Sequence, residues 1–319
     1  MIVSITHEHD LDGLGSQAII KRYFDFFYNG VKQEFKQYFS HYLDFVEKLK
    51  NILISDNIPS QLIITDIGFN EDFKELLPIL EGAKNNDCKI LWFDHHLVSN
   101  EIKEKITEFT YLYINDPLRC AAEIVKDYYL PDDSIALKIA ELARDSDFKT
   151  NKFQFADELQ LIIGYNRGES KYQEKIKLVS LLSVGAFQEQ WFSAQLMKLK
   201  KWFNEESIFA LRNVNIVNIE NFGEIAISFA RISGGKITDL LGKKFPKLRA
   251  YIGIDTRFDE IIIKSEFINC RDFAIEFTGG GHKSRAGFKY KQIFSENGVL
   301  NQQFIQDLKM KFIKFKTHQ

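Results

Sequence analysis

Short apolar runs alternate with amphipathic stretches through the first third of the chain. Residues 2–6, 62–65, 89–93 and 111–114 are brief, nearly continuous runs rich in β-branched, aromatic and aliphatic side chains. Between them, residues 15–28 and 73–84 repeat apolar positions at helical spacing, which predicts helices. Near-continuous apolar strands separated by helices imply a parallel sheet covered on both faces. Residues 136–144 predict a further helix that stops at Asp145-Ser146-Asp147.

The pattern then changes. Residues 155–205 are mostly helical in character, and Phe187, Trp191, Leu196, Leu199 and Phe203 form an apolar stripe suited to packing. From Val214 onward the periodicity becomes that of strands, at 224–230, 250–255 and 260–264, the last two forming a hairpin that turns at Arg257-Phe258-Asp259. The expected fold class is α/β. A parallel-sheet domain over 1–185, with helices on both faces, is followed by a helical connector over 186–213. A smaller mixed-sheet α/β domain follows over 214–319.

A length of 319 residues, with 45% hydrophobic and 27% charged residues, suits about two globular domains and excludes disorder for the whole chain. The net charge of −2 hides a split: residues 1–150 carry −10 and residues 151–319 carry +8. An acidic half joined to a basic half suggests two tasks. Cys88, Cys120 and Cys270 are far apart and support neither a disulfide framework nor a thiolate zinc site. There is no basic segment followed by an apolar stretch at the start, and no run approaches the roughly 18–20 apolar residues of a membrane span. A soluble, cytoplasmic protein is expected, with no membrane partner.

Acidic and imidazole groups gather just after the predicted strands. The first run leads into Thr6-His7-Glu8-His9-Asp10-Leu11-Asp12-Gly13, the second ends at Asp66, and the third at Asp94-His95-His96. Asp145 and Asp147 close the helix that follows. In an open α/β sheet, groups at the carboxyl ends of strands converge on one crevice. Carboxylates held that close remain ionised only beside cations, and a set of carboxylates and imidazoles without thiolate suits Mn²⁺, Mg²⁺ or Fe²⁺. Each piece alone is ordinary: a helix cap, a strand-end Asp, a three-residue match. Their ordered recurrence is what points to a metal site.

A second constellation is Thr278-Gly279-Gly280-Gly281-His282-Lys283-Ser284-Arg285-Ala286-Gly287. Consecutive glycines let backbone N–H groups approach an anion, and His282, Lys283 and Arg285 add charged donors. This reads as a grip on phosphate or a nucleotide backbone. Lys309, Lys311, Lys314 and Lys316 read as a solvated helix face.

The ordered set His-x-x-Asp-x-Asp-Gly, strand-end Asp, Asp-His-His, later Asp and Gly-Gly-Gly-His-Lys resembles the DHH phosphoesterase superfamily, in the branch with a C-terminal DHHA1 domain. The resemblance runs from His7 to Gly287. It implies two bound divalent metal ions, most often Mn²⁺, and hydrolysis of phosphoric esters by water activated between them. By that pattern His7, Asp10 and Asp66 would hold one metal. Asp12, Asp66, His95 and Asp145 would hold the other, with Asp66 bridging. Asp94 would orient its neighbours and His96 would face the substrate phosphate. Gly279, Gly280, Gly281, His282, Lys283 and Arg285 would grip the nucleotide, with Arg257 at the position of a phosphate-binding arginine. His7 and His9 compete for the first ligand position, as do Asp145 and Asp147 for the last. His7 follows its strand directly and Asp145 lies nearer the helix end, and these are favoured.

Domain content favours a resemblance to stand-alone nanoRNases, which degrade very short oligoribonucleotides and linear dinucleotides, some with 3′-phosphoadenosine-5′-phosphate phosphatase activity. The expected partners are short single-stranded RNA or DNA, or a dinucleotide, and the fold's relatives are often homodimers. A RecJ-type exonuclease on longer strands and an inactive nucleotide sensor are the alternatives.

Overall fold

The computed structural model describes residues 1–28, 34–42, 44–54, 58–68 and 73–315. Lys316 lies outside these residues. The chain divides into two compact units, Met1–Leu199 and Lys200–Gln319.

In the first unit the order is β1 (Ile2–His7), α1 (Leu11–Arg22), β2 (Phe35–Ser40), α2 (Phe45–Ile54), β3 (Gln61–Thr65) and α3 (Phe73–Asn85). β4 (Lys89–Asp94), α4 (Asn100–Phe109), β5 (Leu112–Asn115), α5 (Ala121–Tyr129) and α6 (Ser134–Phe148) follow, then α7 (Gln154–Tyr165) and α8 (Tyr172–Ser183). The five strands lie in the order β2-β1-β3-β4-β5, and every pairing is parallel. Side chains alternate across this sheet as strand geometry demands. Ile2, Ile63, Leu91 and Phe93 pack against α1, α5 and α6. Val3, Ile5, Leu62, Ile64, Ile90 and Trp92 pack against Phe45 and Leu49 of α2, Leu76 and Leu80 of α3 and Ile106 of α4. Both faces are therefore buried, and all strand carboxyl ends point to one edge.

Two features depart from the sequence reading. β2 is an edge strand, Phe-Lys-Gln-Tyr-Phe-Ser, whose mixed character and partial exposure conceal it from a search for apolar runs. α6 does not stop at Asp145. Asp133 caps its N-terminus, and the helix continues to Phe148, where Lys149 adopts φ +53° and terminates it. Asp145 and Asp147 thus both sit on the last turns of a helix.

α9 (Gln190–Arg212) precedes the strands of the second unit: β6 (Asn215–Ile219), β7 (Gly223–Ala230), α10 (Gly234–Lys244), β8 (Ala250–Asp255), β9 (Glu260–Ser265), α11 (Cys270–Ile275), β10 (Gly280–Gly281), β11 (Arg285–Lys289) and α12 (Gln302–Lys314). The sheet order is β10-β11-β9-β8-β7-β6, with β7 and β8 parallel and the other pairs antiparallel. The expected hairpin joins β8 to β9. Among the described residues no helix is long and apolar enough to cross a membrane. The three cysteines are buried and unpaired by disulfides.

Candidate metal centre

The carboxyl ends of β1, β3 and β4 bring His7, Asp66 and Asp94 to one edge of the first sheet. The turn after β1 is held tightly. Thr6 donates its hydroxyl to the Gly13 carbonyl at 2.8 Å, and Thr65 donates to Thr6 at 2.7 Å. A Cβ on Gly13 would lie 2.1 Å from the His7 carbonyl oxygen, so only glycine lets α1 start this close to β1.

Asp10 divides its two oxygens between tasks. Oδ1 accepts the Gly13 N–H at 3.0 Å and caps α1, while Oδ2 lies 2.9 Å from His7 Nδ1. Asp12 is buried, and its oxygens accept the Ala121 and Ala122 N–H groups, both at 2.7 Å, at the positive end of α5. Asp12 Oδ2 is also 3.5 Å from His95 Nε2, and a carboxylate oxygen has lone pairs enough for both. Asp66 occupies φ +56°, a costly conformation for a non-glycine residue, with its N–H anchored on the Phe93 carbonyl at 2.9 Å. Its Oδ2 lies 3.4 Å from His7 Nδ1 and its Oδ1 lies 3.4 Å from His95 Nε2.

Two trios of potential ligands result: His7, Asp10 and Asp66, and Asp12, His95 and Asp147, with the donor atoms of each within 4.8 Å of one another. Asp66, His95 and His96 satisfy the same condition. Asp66 turns one oxygen toward each of the first two trios. Asp147 Oδ2 lies 3.7 Å from His95 Nδ1. The structure does not bring Asp145 to this cluster. Its oxygens accept from the Thr150 hydroxyl and from the Lys152 and Phe153 N–H groups, both at 2.8 Å, and so close the α6–α7 loop.

His7 lies in the cluster and His9 beside it. His9 Nε2 is 3.1 Å from Arg167 Nη2, and its ring stacks on His41 at 5.2 Å. His96 Nδ1 meets Asp94 Oδ1 at 2.8 Å, and Asn115 donates to both Asp94 Oδ2 and the His96 carbonyl. A Cβ on Gly68 would lie 2.6 Å from the His96 Cβ, so the glycine makes room for that ring. His96 Nε2 lies 2.9 Å from the Tyr42 hydroxyl. His41, Tyr42, Asn115 and Arg167 were not singled out from sequence. The signal available for the first two was their place just after β2, had that strand been read.

The electrostatics describe a cluster built for positive charge. Burial and the neighbouring Asp66 and Asp10 push Asp12 well above the carboxylate range, and burial with Asp10 raises Asp66. Against burial, which opposes a charged ring, Asp10 and Asp66 raise His7 to about 10, and Asp66 and Asp12 raise His95 to about 9. Burial, then Arg167, lowers His9 to about 3. Protons thus gather where cations would sit. Both ring nitrogens of His7 and Asp66 Oδ2 are buried without a well-directed hydrogen-bond partner. Buried polar atoms left this way call for an explanation, and a cation held between His7 and Asp66 would satisfy Asp66 Oδ2 and one ring nitrogen of His7. The residues present therefore fit divalent metal ions.

In the second unit, Gly280 and Gly281 pair with Gly287 and Ala286 as an exposed edge hairpin. The N–H groups of Gly279 and His282 donate to the Ala274 and Arg285 carbonyls, both at 2.8 Å. These two donors do not form the open cradle expected of the glycine run. His282 and Lys283 are exposed at the hairpin tip, and Arg285 pairs with Asp239. Arg257 makes a two-pronged contact with buried Asp255, at 3.0 and 2.7 Å, and lies over Trp202. It sits at the β8–β9 turn, whereas Arg285 pairs in register with Lys264 near the other end of β9. Lys311 and Lys314 lie 2.6 and 3.6 Å from Glu276.

Residues 1–145 match the model of the DHH family, N-terminal domain. No curated protein sequence matches the chain significantly. Among solved structures, the DHH domain of a protein described as a member of a ribosomal-protein family is 16% identical, with a TM-score of 0.57 over 99% of this chain and 87% of that one. CDC45 from Entamoeba histolytica is 9% identical, with a TM-score of 0.56 over 98% and 95%. The pGpG-specific phosphodiesterase PggH from Vibrio cholerae is 12% identical, with a TM-score of 0.50 over 99% and 100%. Identities this low establish a shared fold alone.

Proposed function

From the premise that residues 1–145 form a DHH-family N-terminal domain, we propose that the chain is a divalent-metal-dependent phosphodiesterase acting on short single-stranded nucleotides. The observation that carries this reading is the pair of ligand trios, His7, Asp10 and Asp66 beside Asp12, His95 and Asp147, with the second Asp66 oxygen turned to His95 at 3.4 Å. His7, Asp10 and Asp66 would hold one cation. Asp12, His95, Asp147 and Asp66 would hold the other, Asp147 taking the place that the motif pattern assigns to Asp145. The ligand types suit Mn²⁺ or Mg²⁺. Bound divalent cations supply a water of lowered pKa and neutralise charge on phosphate oxygens.

The remaining roles belong to the chain. Asp94 and Asn115 hold the His96 ring and backbone, which orients Nε2 toward the position we assign to the scissile phosphate. The Tyr42 hydroxyl occupies that nitrogen's hydrogen-bonding direction and would yield to a phosphate oxygen. We assign nucleotide binding in the second unit to the hairpin carrying His282 and Lys283. Arg285 and Arg257 each already hold a carboxylate, and Arg257 lies at the opposite end of β9 from this hairpin. The substrate class of the Vibrio cholerae relative, a linear dinucleotide by its name, supports a dinucleotide here.

A length series of 5′-labelled RNA and DNA oligomers with Mn²⁺ tests this reading. The expected result is fastest release of mononucleotides from dinucleotides and the shortest oligomers. Faster attack on long strands would favour a RecJ-type exonuclease. No release with any divalent metal would favour a nucleotide-binding sensor on the same fold.

A further inference from the structure

His9 lies within the most chemically dense segment of the chain and contributes to none of the ligand trios. It is nevertheless fixed with care. Gln160 of α7 donates to the His9 carbonyl at 3.1 Å and accepts the Leu11 N–H at 3.0 Å. Glu8, one residue earlier, is buried with Lys175 of α8 and accepts the Gly168 N–H at 3.2 Å. α7, α8 and the segment between them therefore clamp the turn that presents His9, and the same segment carries Arg167.

The surroundings of His9 are rich in N–H donors. Its Nε2 lies 3.1 Å from Arg167 Nη2, and its ring stacks at 5.2 Å on His41, with an interplanar angle of 26°. The His9 and His41 side chains are 26% and 29% exposed, so the cluster opens to solvent. A ring spacing of 5.1 Å separates His9 from His7 of the candidate metal centre. Glu8 Oε1 lies 3.8 Å from His9 Nε2 and Asp44 Oδ2 lies 3.8 Å from His41 Nε2, but both carboxylates have nearer partners. Glu8 is held by Lys175 and Gly168, while Asp44 accepts from the Ser40 hydroxyl, the His41 N–H and Lys48. A guanidinium has five donors in a fixed fork and can hold a protein group and a phosphate oxygen at once. A neutral imidazole that accepts at Nε2 donates at Nδ1.

We propose that His9, His41 and Arg167 form an anion subsite that takes a terminal phosphate group of the substrate, beside the centre that holds the scissile diester. This rests on reading that centre as a phosphodiesterase site. It narrows the substrate class to short phosphodiesters that also carry a terminal phosphomonoester. The monoester can stand at the 5′ or the 3′ end, and the two ends are separate arms of the test.

The probes are one dinucleotide in three forms: 5′-phosphorylated, 3′-phosphorylated and unphosphorylated. For the wild type with Mn²⁺, kcat/KM is expected to favour one phosphorylated form at least tenfold, equivalent to about 1.4 kcal/mol. Arg167→Gln and His41→Asn are each expected to erase most of that preference, chiefly by raising KM for the favoured form. Lys105→Gln, on solvent-facing α4, serves as the charge control and keeps the preference. Absence of preference in the wild type, or an equal loss on all three forms in both variants, overturns the subsite. If no form is hydrolysed, the phosphodiesterase reading fails separately. Calorimetric binding of the same three ligands then decides the subsite. Tighter binding of a phosphorylated form, lost in Arg167→Gln, upholds it, and equal or absent binding of all three overturns it.

Discussion

His7 Nδ1 and Asp66 Oδ2 face each other across 3.4 Å, buried and without well-directed hydrogen bonds. The backbone beneath Asp66 is held at φ +56° to place that oxygen there. A fold whose purpose at this point was only packing would satisfy these atoms or replace them with apolar groups. In the function proposed above the pair would form half of a cation site, with the other Asp66 oxygen turned to His95.

Asp147 and Asp145 should separate cleanly on substitution. Asp147 lies beside His95, whereas Asp145 closes the α6–α7 loop through Thr150, Lys152 and Phe153. Asp147→Ala is expected to weaken Mn²⁺ binding and turnover by about 100-fold or more, beyond the usual loss of an outer partner, with Tm little changed. Asp145→Ala is expected to lower Tm and leave Mn²⁺ affinity near wild type. Calorimetric metal titration and thermal melts of both variants check the pair; the reverse pattern would restore Asp145 as the ligand.

Gly68 offers a steric probe of His96. A Cβ there meets the His96 ring base at 2.6 and 2.7 Å, while a Cβ on Gly82 of α3 meets nothing within 4 Å. Gly68→Ala should displace His96 and cut kcat by roughly 100-fold, comparable to losing a positioned donor in the transition state. Gly82→Ala should retain activity and gain about 0.5–1 kcal/mol from helix propensity. Steady-state kinetics and urea unfolding distinguish these outcomes.

The Glu8–Lys175 pair is buried at both ends, with side chains 5% and 3% exposed. Removing one partner strands a charge, so Lys175→Met should cost about 3–5 kcal/mol. The apolar double substitution Glu8→Leu with Lys175→Met should recover much of that loss. Urea denaturation of the wild type and both variants tests the ordering. A Lys175→Met variant as stable as wild type would show that the pair does not anchor the turn.

His7 and His95 are held at about 10 and about 9 in the fold, against 6.5 for a free imidazole. Each therefore adds stability that is complete below pH 6.5 and is lost as pH rises through its folded value. Metal-free protein should lose Tm between pH 6.5 and about 10, the window set by those values. Saturating Mn²⁺ displaces these protons and should flatten the loss. Melting curves across that range, with chelator and with Mn²⁺, would count against the cluster if they coincided.

Much of this was legible in the residues. β1, β3 and β4 are buried on both faces, so their apolar runs are continuous and the acids that follow them stand out. β2 is half exposed at the edge of the sheet, and with it went His41 and Tyr42. The choice between Asp145 and Asp147 depends on helix phase. Two residues differ by about 200° around an α-helix, and without the true end of α6 nothing in the local sequence says which side faces His95. The glycine run was visible as a place of close backbone approach. Its pairing as a hairpin depends on β11, which lies later in the chain.

Metal stoichiometry tests the central claim most directly. Titration of the chelator-treated protein with Mn²⁺ should give two ions per chain, and Asp66→Asn, which removes the shared carboxylate, should leave at most one. Absence of Mn²⁺ binding by the wild type, or two ions still bound by Asp66→Asn, would contradict a centre built on Asp66.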